Sequence, residues 1–131
     1  MEKVLGKFSP QIYALLRIVA GLLFAQHGAQ KLFAVLGREE PVQLASLMGL
    51  AGVIEFVGGL LIALGLFAGL AAFVASGEMA VAYFRAHAPR GLFPIQNEGE
   101  LAVLYCFLFL YIASRGPGVW SVDAARGKRG K

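Results

Sequence analysis

The feature that most constrains this chain is a long apolar stretch from about residue 44 to residue 85, in which Glu55 and Glu78 are the only interruptions. A continuous helix of that length would measure about 60 Å, twice the hydrocarbon thickness of a bilayer. The stretch therefore has to fold back on itself. The glycines at the ends of the segment 65–69 mark the turn, so we predict one helix over residues 44–65 and another over residues 69–85.

The composition indicates that these helices lie in a membrane. Hydrophobic residues make up 58% of the chain, charged residues make up 15%, and the mean hydropathy is +0.69. A soluble domain usually carries about 25% charged residues, so much of the polar surface that water requires is missing. The 131 residues suffice for one domain. We therefore predict a single membrane domain over residues 1–131.

Two further apolar segments complete the predicted architecture. They cover residues 12–33 and 98–114, and each is long enough to cross most of a bilayer. The segment 86–97 contains Pro89 and Pro94 and cannot be a continuous helix, so we expect it to lie against the membrane interface or to fold back over the bundle. The fold class predicted from the sequence is an all-α membrane protein, a bundle of four transmembrane helices.

The basic residues predict the orientation of this bundle. Cytoplasmic loops of membrane proteins carry an excess of lysine and arginine. The chain ends carry seven such residues: Lys3, Lys7, Arg115, Arg126, Lys128, Arg129 and Lys131. The other side has four: Lys31, Arg38, Arg85 and Arg90. We therefore predict that both termini are cytoplasmic, that residues 116–131 form a basic, solvated tail, and that the protein is a multi-pass protein of the inner membrane. No basic patch is interleaved with aromatic residues, so no nucleic-acid partner is expected.

Ionisable residues inside the spans identify the candidate site. Burying one costs about 2.5–3.5 kcal/mol, and such residues are usually functional. The helical period directs them toward a common axis, with Glu55 and Glu78 near mid-depth. The main candidates for a ligand or proton site are Arg17, His27, Lys31, Glu55, Glu78 and Glu100. Secondary candidates are Asn97, Glu98, Arg85 and His87. The structural alternative is that the carboxylates only hold helices together, with Arg17 or Lys31 as partner.

The chain offers little for metal or thiol chemistry. Cys106 is the single cysteine, so neither a disulfide within the chain nor a dithiol can form. The two histidines, His27 and His87, do not occur in the Glu-x-x-His pattern of carboxylate-bridged metal sites. We expect no metal site, and no cofactor is evident from these residues.

Several short motifs together resemble the DoxX family of small four-span membrane proteins. In the first helix they are Leu16-Arg17, Gly21, Phe24, His27-Gly28 and Lys31, in the second Glu55-x-x-Gly58-Gly59 with Gly65, and before the fourth Phe93-Pro94 with Asn97-Glu98-Gly99-Glu100. The resemblance covers about residues 11–115. Glu98 stands where the family usually has a glycine.

The resemblance implies an association with sulfur or thiol redox chemistry, because named members resemble a subunit of a thiosulfate:quinone oxidoreductase or join a membrane complex that handles oxidative stress. The leading hypothesis is an accessory or quinone-facing subunit of such a complex, whose partners are the lipid bilayer and a redox subunit or a second copy. A second hypothesis is a transporter of small anions or weak acids, in which Arg17 and Lys31 attract the anion and the glutamates take protons. A third is a structural membrane scaffold. The sequence leaves open whether the chain is itself an enzyme.

Overall fold

The computed structural model describes residues 1–129, and all regular structure in that part of the chain is helical. Its main helices are α1 (Glu2–Phe33), α2 (Leu47–Leu64), α3 (Ala68–Ala82), α4 (Glu100–Arg115) and α5 (Val122–Arg129). Helix α1 contains the 3₁₀ turn Gly6–Phe8, and α2 contains the π-helical turn Ile54–Gly58. Helix α3 runs on into a π-helical turn, Tyr83–His87, and a 3₁₀ turn, Ala88–Arg90, before the single helical turn Pro94–Asn97.

The helices carry large apolar side chains on their outer faces. Two of them, α1 and α2, are long and apolar enough to cross a membrane. The shorter helices α3 and α4 also expose apolar residues, among them Leu70, Phe73, Leu104 and Phe107. Soluble proteins rarely expose apolar surface on this scale, whereas lipid covers it without cost. The surface is therefore that of a membrane protein.

The turn between α2 and α3 confirms the hinge predicted from the glycines. Gly65 has φ 71° and Phe67 has φ 50°, so both residues adopt the left-handed conformation that ends one helix and redirects the chain. The amide of Gly65 donates to the carbonyl of Ile62, and that of Leu66 donates to the carbonyl of Leu61. We call the end of the bundle that holds this turn the hinge end, and the opposite end the loop end.

Helix α1 begins at Glu2, well before the predicted residue 12, and two other helices begin two or three residues after their predicted boundaries for local reasons. Helix α2 begins at Leu47 rather than residue 44, because the Ser46 hydroxyl accepts a hydrogen bond from the Gly49 amide and caps the helix. Helix α4 begins at Glu100 rather than residue 98, because Glu98 has φ 61° and interrupts the helical path. The left-handed conformation explains physically why a glycine suits the position of Glu98.

The tail from residue 116 was predicted to be solvated; most of its described residues are exposed, but one part of it docks against the bundle. Ser121 is buried, and the amide of Asp123 donates to the carbonyl of Gly65 at 2.9 Å. The carboxylate of Asp123 accepts hydrogen bonds from the amides of Phe67 and Ala68 at 3.0 and 3.1 Å. These contacts cap the start of α3 and hold the tail across the hinge end. Residues 130 and 131, which the predicted tail includes, lie outside the described residues.

Glycines bring α1 and α2 into backbone contact. A Cβ atom on Gly59 would lie 2.5 Å from the amide nitrogen of Ala25 and 2.6 Å from the carbonyl of Gly21, both in α1. A Cβ atom on the neighbouring Gly58 would meet nothing within 4 Å. Small residues at such crossings allow close packing between membrane helices.

This pair of glycines provides a matched test of the packing. We expect Gly59→Ala to lower the free energy of unfolding by about 1–3 kcal/mol, because the backbones of α1 and α2 have to move apart. Gly58→Ala should change it by less than about 0.5 kcal/mol, since the added methyl group fits. Unfolding in a titration with sodium dodecyl sulfate measures both values. Equal losses in the two variants would contradict the close crossing at Gly59.

Candidate functional site

A cavity of about 890 Å³ lies among α1, α2, α3 and α4 toward the loop end. Its walls are mainly apolar and include Phe24, Leu50, Val81 and Tyr105. Of the main candidates from the sequence, His27, Lys31, Glu55 and Glu78 line this cavity. Of the secondary candidates, Arg85, His87 and Glu98 line it as well. The structure thus brings together seven of the ten residues named from the sequence.

An ion pair joins α1 to α2 in the wall of the cavity. The Lys31 ammonium donates to both carboxylate oxygens of Glu55, at 2.7 and 2.5 Å. Glu55 is only 2% exposed, whereas the side chain of Lys31 is 19% exposed. Lys31 lies in the last turn of α1, and Glu55 lies in the π-helical turn of α2. Such turns occur frequently at functional sites.

Glu78 brings a second carboxyl group to the same place from α3. It lies beside Glu55, close enough for the two carboxyl groups to interact directly. Its Oε2 atom is buried and has no hydrogen-bond partner among the described residues. If both groups were ionised, two carboxylates against one ammonium would leave one excess negative charge where the dielectric constant is low, which favours a proton on one of them. This group can hold a proton, or it can accept a hydrogen bond from a ligand in the cavity.

Aromatic rings form the wall nearest to these charges. The ring of His27 meets the ring of Tyr105 edge to face, with 6.2 Å between centroids. Phe24 packs against Tyr105 and Phe109 with centroids 5.5 and 4.7 Å away. Tyr105 was not among the candidates named from the sequence. Its position on the same helical face as Ala102 and Phe109 is the signal that could have identified it.

The segment between α3 and α4 covers the loop end of the cavity, and Asn97 fastens it. The Asn97 amide nitrogen donates to the Tyr83 hydroxyl at 3.2 Å and to the Gly91 carbonyl at 3.0 Å, and its Oδ1 accepts from the Gly99 amide at 2.8 Å. A fourth contact joins His87 Nδ1 to the Asn97 carbonyl at 3.0 Å. Asn97 is fully buried, so its polar atoms serve the cover and not a ligand.

Three of the candidates lie outside the cavity lining. They are Asn97, Glu100, which is exposed at the start of α4, and Arg17. Glu98 lines the cavity, but its carboxylate is exposed and lies 3.8 Å from Arg90. No group of three histidine, cysteine, aspartate or glutamate residues that could hold a metal ion occurs within residues 1–129.

Arg17 is fully buried, and its bonds are structural. Its guanidinium donates to the carbonyls of Ile62 and Ala63 at the end of α2, both at 2.8 Å. It also donates to the carbonyls of Trp120 at 2.7 Å and Val119 at 3.3 Å in the tail. The interpretation of Arg17 as a partner of the buried carboxylates is therefore corrected, because Lys31 is the partner of Glu55. Arg17 instead connects α1, α2 and the tail.

Comparison with known proteins identifies the family. The sequence profile of the DoxX family matches residues 12–88, more than half of the chain. This chain belongs to the DoxX family. A Haemophilus influenzae protein, named only as an uncharacterized protein, is 44% identical over 130 residues and is similar along 91% of this chain and 93% of its own length. No solved structure matches the chain.

Membership of the DoxX family makes this chain a small membrane protein. The residues that match the family include α1, α2 and α3 for most of their length, and with them Lys31, Glu55 and Glu78. The part of the cavity that carries its charges therefore lies inside the DoxX region, whereas Tyr105 and the docked tail lie beyond it.

Proposed function

We propose that this DoxX protein is a quinone-binding subunit of an inner-membrane redox complex that handles sulfur compounds, thiols or oxidative stress. The observation that carries the proposal is a mainly apolar cavity in which a buried, unpartnered oxygen of Glu78 lies beside the Lys31–Glu55 ion pair. Apolar walls with a few convergent polar groups are typical of small-molecule sites. The association with redox chemistry comes from the family resemblance.

The donor and acceptor groups of the cavity fit both forms of a quinone. Glu78 Oε2 can accept a hydrogen bond from the hydroxyl group of a quinol. The Lys31 ammonium has three hydrogens and uses two of them on Glu55, so the third can be donated to a quinone carbonyl. Tyr105 and Phe24 contribute apolar atoms to the cavity wall beside the ring.

The role of the chain in this proposal is to bind, orient and exchange protons. When bound, a quinone accepts two electrons and two protons and becomes a quinol. Glu78 holds or releases a proton at its buried oxygen, and the ion pair with Lys31 keeps Glu55 charged and in place. With Cys106 as its single cysteine, the chain cannot form a dithiol, so the electrons come from a partner redox subunit.

The hypothesis that this chain transports small anions has less support. It rests on Arg17 and Lys31 as the cations that attract the anion. In the structure, Arg17 donates to four backbone carbonyls, and Lys31 is held by both oxygens of Glu55. A purely structural role as a scaffold does not explain the cavity of about 890 Å³ or the buried, unpartnered oxygen of Glu78.

The proposal includes four membrane spans with both termini in the cytoplasm. Helix α3 and its π-helical turn together cover residues 68–87, about 30 Å of helix. Helix α4 has 16 residues and a largely exposed apolar face. The basic tail at the hinge end supports the cytoplasmic placement of that end.

Cysteine labelling in intact cells tests this topology. In a Cys106→Ala background, we expect an impermeant maleimide to label Arg38→Cys and not Gly127→Cys, because residues 38 and 127 lie on opposite sides. Gly127 suits the purpose because a Cβ atom there meets nothing within 4 Å. Permeabilised cells, in which both sites should react, provide the control. Equal protection of the two sites in intact cells would contradict an even number of spans.

Direct binding tests the proposed ligand. Purified protein in lipid nanodiscs should bind a benzoquinol that carries a decyl tail, saturably and with one molecule per chain. Quenching of the single tryptophan, Trp120, is a poor reporter because it lies at the hinge end. Equilibrium dialysis with radiolabelled ligand measures binding independently of its position. Binding no greater than that of empty nanodiscs would contradict the proposal.

A further inference from the structure

The two helices that meet at the hinge separate toward the loop end. Helix α3 contacts α2 along the turn Ile54–Gly58 and the segment Gly59–Leu64. The first two turns of α2, Leu47–Val53, pack instead against α1 and have little contact with α3. A gap between α2 and α3 therefore widens from the level of Glu55 to the loop end.

The cavity extends into this gap. Leu50 of α2 and Val74 and Val81 of α3 line the cavity, yet they are 54%, 44% and 51% exposed. Gly77 lines it too, and a Cβ atom there would meet nothing within 4 Å. The cavity therefore opens on the outer surface of the bundle. Apolar side chains form the rim of this opening, and Gly77, the neighbour of Glu78 in sequence, leaves its middle free of a side chain.

This opening faces sideways, because the loop end is covered. The segment between α3 and α4 is tied over that end by the hydrogen bonds of Asn97 to Tyr83, Gly91 and Gly99. The rim of the gap is apolar and suits acyl chains rather than water. A molecule dissolved in the bilayer can thus reach the carboxyl group of Glu78 without passing through the cover.

We propose that the gap between α2 and α3 is a lateral entrance, through which a lipid-soluble molecule with a hydroxyl-bearing ring and an apolar tail enters from the bilayer. The ring reaches Glu78 and the Lys31–Glu55 pair, and the tail stays in the gap between Leu50 and Val81. This inference rests on the proposed function, since it adds a route and a tail site to the same cavity.

The ring of such a ligand fits the polar groups of the cavity, and its apolar tail fits the gap between α2 and α3. A carboxyl group with one buried oxygen at about mid-depth can bind a ligand whose ring lies at that depth, and a bilayer-soluble quinol meets this condition. An apolar tail that leaves through the gap would cover Leu50, Val74 and Val81. The exposed apolar rim is then part of the binding site and adds to affinity in proportion to the area it buries.

A variant that narrows the gap tests the entrance. Gly77→Leu adds a side chain to the middle of the gap, where the open space admits it without a backbone clash. Leu70→Phe is the control, because it adds bulk to α3 at a residue that is 70% exposed and does not line the cavity. Each variant in nanodiscs is titrated with a decyl-tailed benzoquinol and with the same benzoquinol without a tail.

We expect Gly77→Leu to weaken binding of the tailed benzoquinol about tenfold or more, because the tail loses its path and its contacts. Binding of the tailless molecule should change less than about twofold, and Leu70→Phe should affect neither. Equal effects on both molecules, or no effect on either, would overturn the lateral entrance while leaving the ring site in place. Failure of the wild-type protein to bind either molecule would instead overturn the proposed function.

Native mass spectrometry of the same samples excludes a different occupant. If wild-type protein is a dimer and Gly77→Leu makes it a monomer, a second copy of the chain covers the gap, and the lateral entrance is wrong. An unchanged oligomeric state, together with selective loss of the tailed ligand, supports it.

Discussion

Replacement of Arg17 by leucine is expected to lower the free energy of unfolding by about 3 kcal/mol or more, because each buried carbonyl that loses its donor costs about 1–3 kcal/mol. Four carbonyls lose the Arg17 donor, those of Ile62, Ala63, Val119 and Trp120, and of these that of Ile62 keeps the Gly65 amide. The loss should appear in the midpoint of a titration with sodium dodecyl sulfate. The tail should also become sensitive to trypsin after Arg126, since Arg17 holds the preceding residues against the hinge end.

Two further variants separate the hydrogen bonds of Arg17 from its charge. Arg17→Lys keeps the charge but lacks the flat guanidinium that donates to two pairs of carbonyls at once. We therefore expect it to recover less than half of the unfolding free energy that Arg17→Leu loses. Arg126→Leu is the matched control. Arg126 lies at the same end over the ring of Phe67, 5.4 Å from its centroid, and its loss should cost less than about 1 kcal/mol. Wild-type stability of Arg17→Leu would contradict the role assigned to it.

The second large effect is expected at the ion pair. Lys31→Met leaves Glu55, which is 2% exposed, without a counter-ion and next to a second carboxyl group. Removing one partner of a buried pair costs about 3–5 kcal/mol, because the other charge stays behind without compensation. We therefore expect Lys31→Met to reduce both the yield of folded protein and its stability in detergent.

The double variant tests whether the loss is electrostatic. With Glu55→Met added to Lys31→Met, no unpaired charge remains at this pair, and stability should return to within about 1 kcal/mol of wild type or exceed it. Lys31→Met together with Glu98→Gln is the control, because Glu98 is exposed and does not pair with Lys31. A double variant as unstable as Lys31→Met would show that packing of the lysine stem matters rather than its charge.

The sequence predicted the parts of the fold that depend on local pattern. The glycines placed the hinge correctly, because Gly65 needs a positive φ angle there. The helical period directed Glu55 and Glu78 toward a common axis, and both line the cavity. Lys31 was one of two predicted partners for Glu55, and it lies within hydrogen-bond distance of both carboxylate oxygens.

Other features could not be predicted because their partners are backbone atoms. The four acceptors of Arg17 are carbonyl groups, which every residue has, so nothing in the sequence distinguishes them. The docked tail follows from the same contacts and from Asp123, which caps a helix 55 residues away in sequence. Asn97 was a plausible ligand by residue type, yet its bonds to Tyr83, Gly91 and Gly99 use its polar atoms within the cover.

The cavity itself required the structure. The sequence placed Glu55 and Glu78 at similar depths, but the space beside them depends on how far α2 and α3 diverge. That divergence comes from contacts between whole helices, with Leu47–Val53 packed on α1 rather than on α3. Periodicity assigns a residue to a face and does not reveal whether that face meets a neighbour or an opening.

The most direct measurement of the central claim is binding of the decyl-tailed benzoquinol to Glu78→Gln in nanodiscs, beside wild-type protein and Glu100→Gln. Glutamine keeps the shape of the side chain and removes the charge and the exchangeable proton. Glu100→Gln makes the same change at an exposed carboxylate outside the cavity. We expect Glu78→Gln to remain folded and to bind at least about tenfold more weakly, since an amide cannot exchange a proton with the ligand, while Glu100→Gln binds like wild type. Wild-type affinity in a folded Glu78→Gln protein would contradict the account.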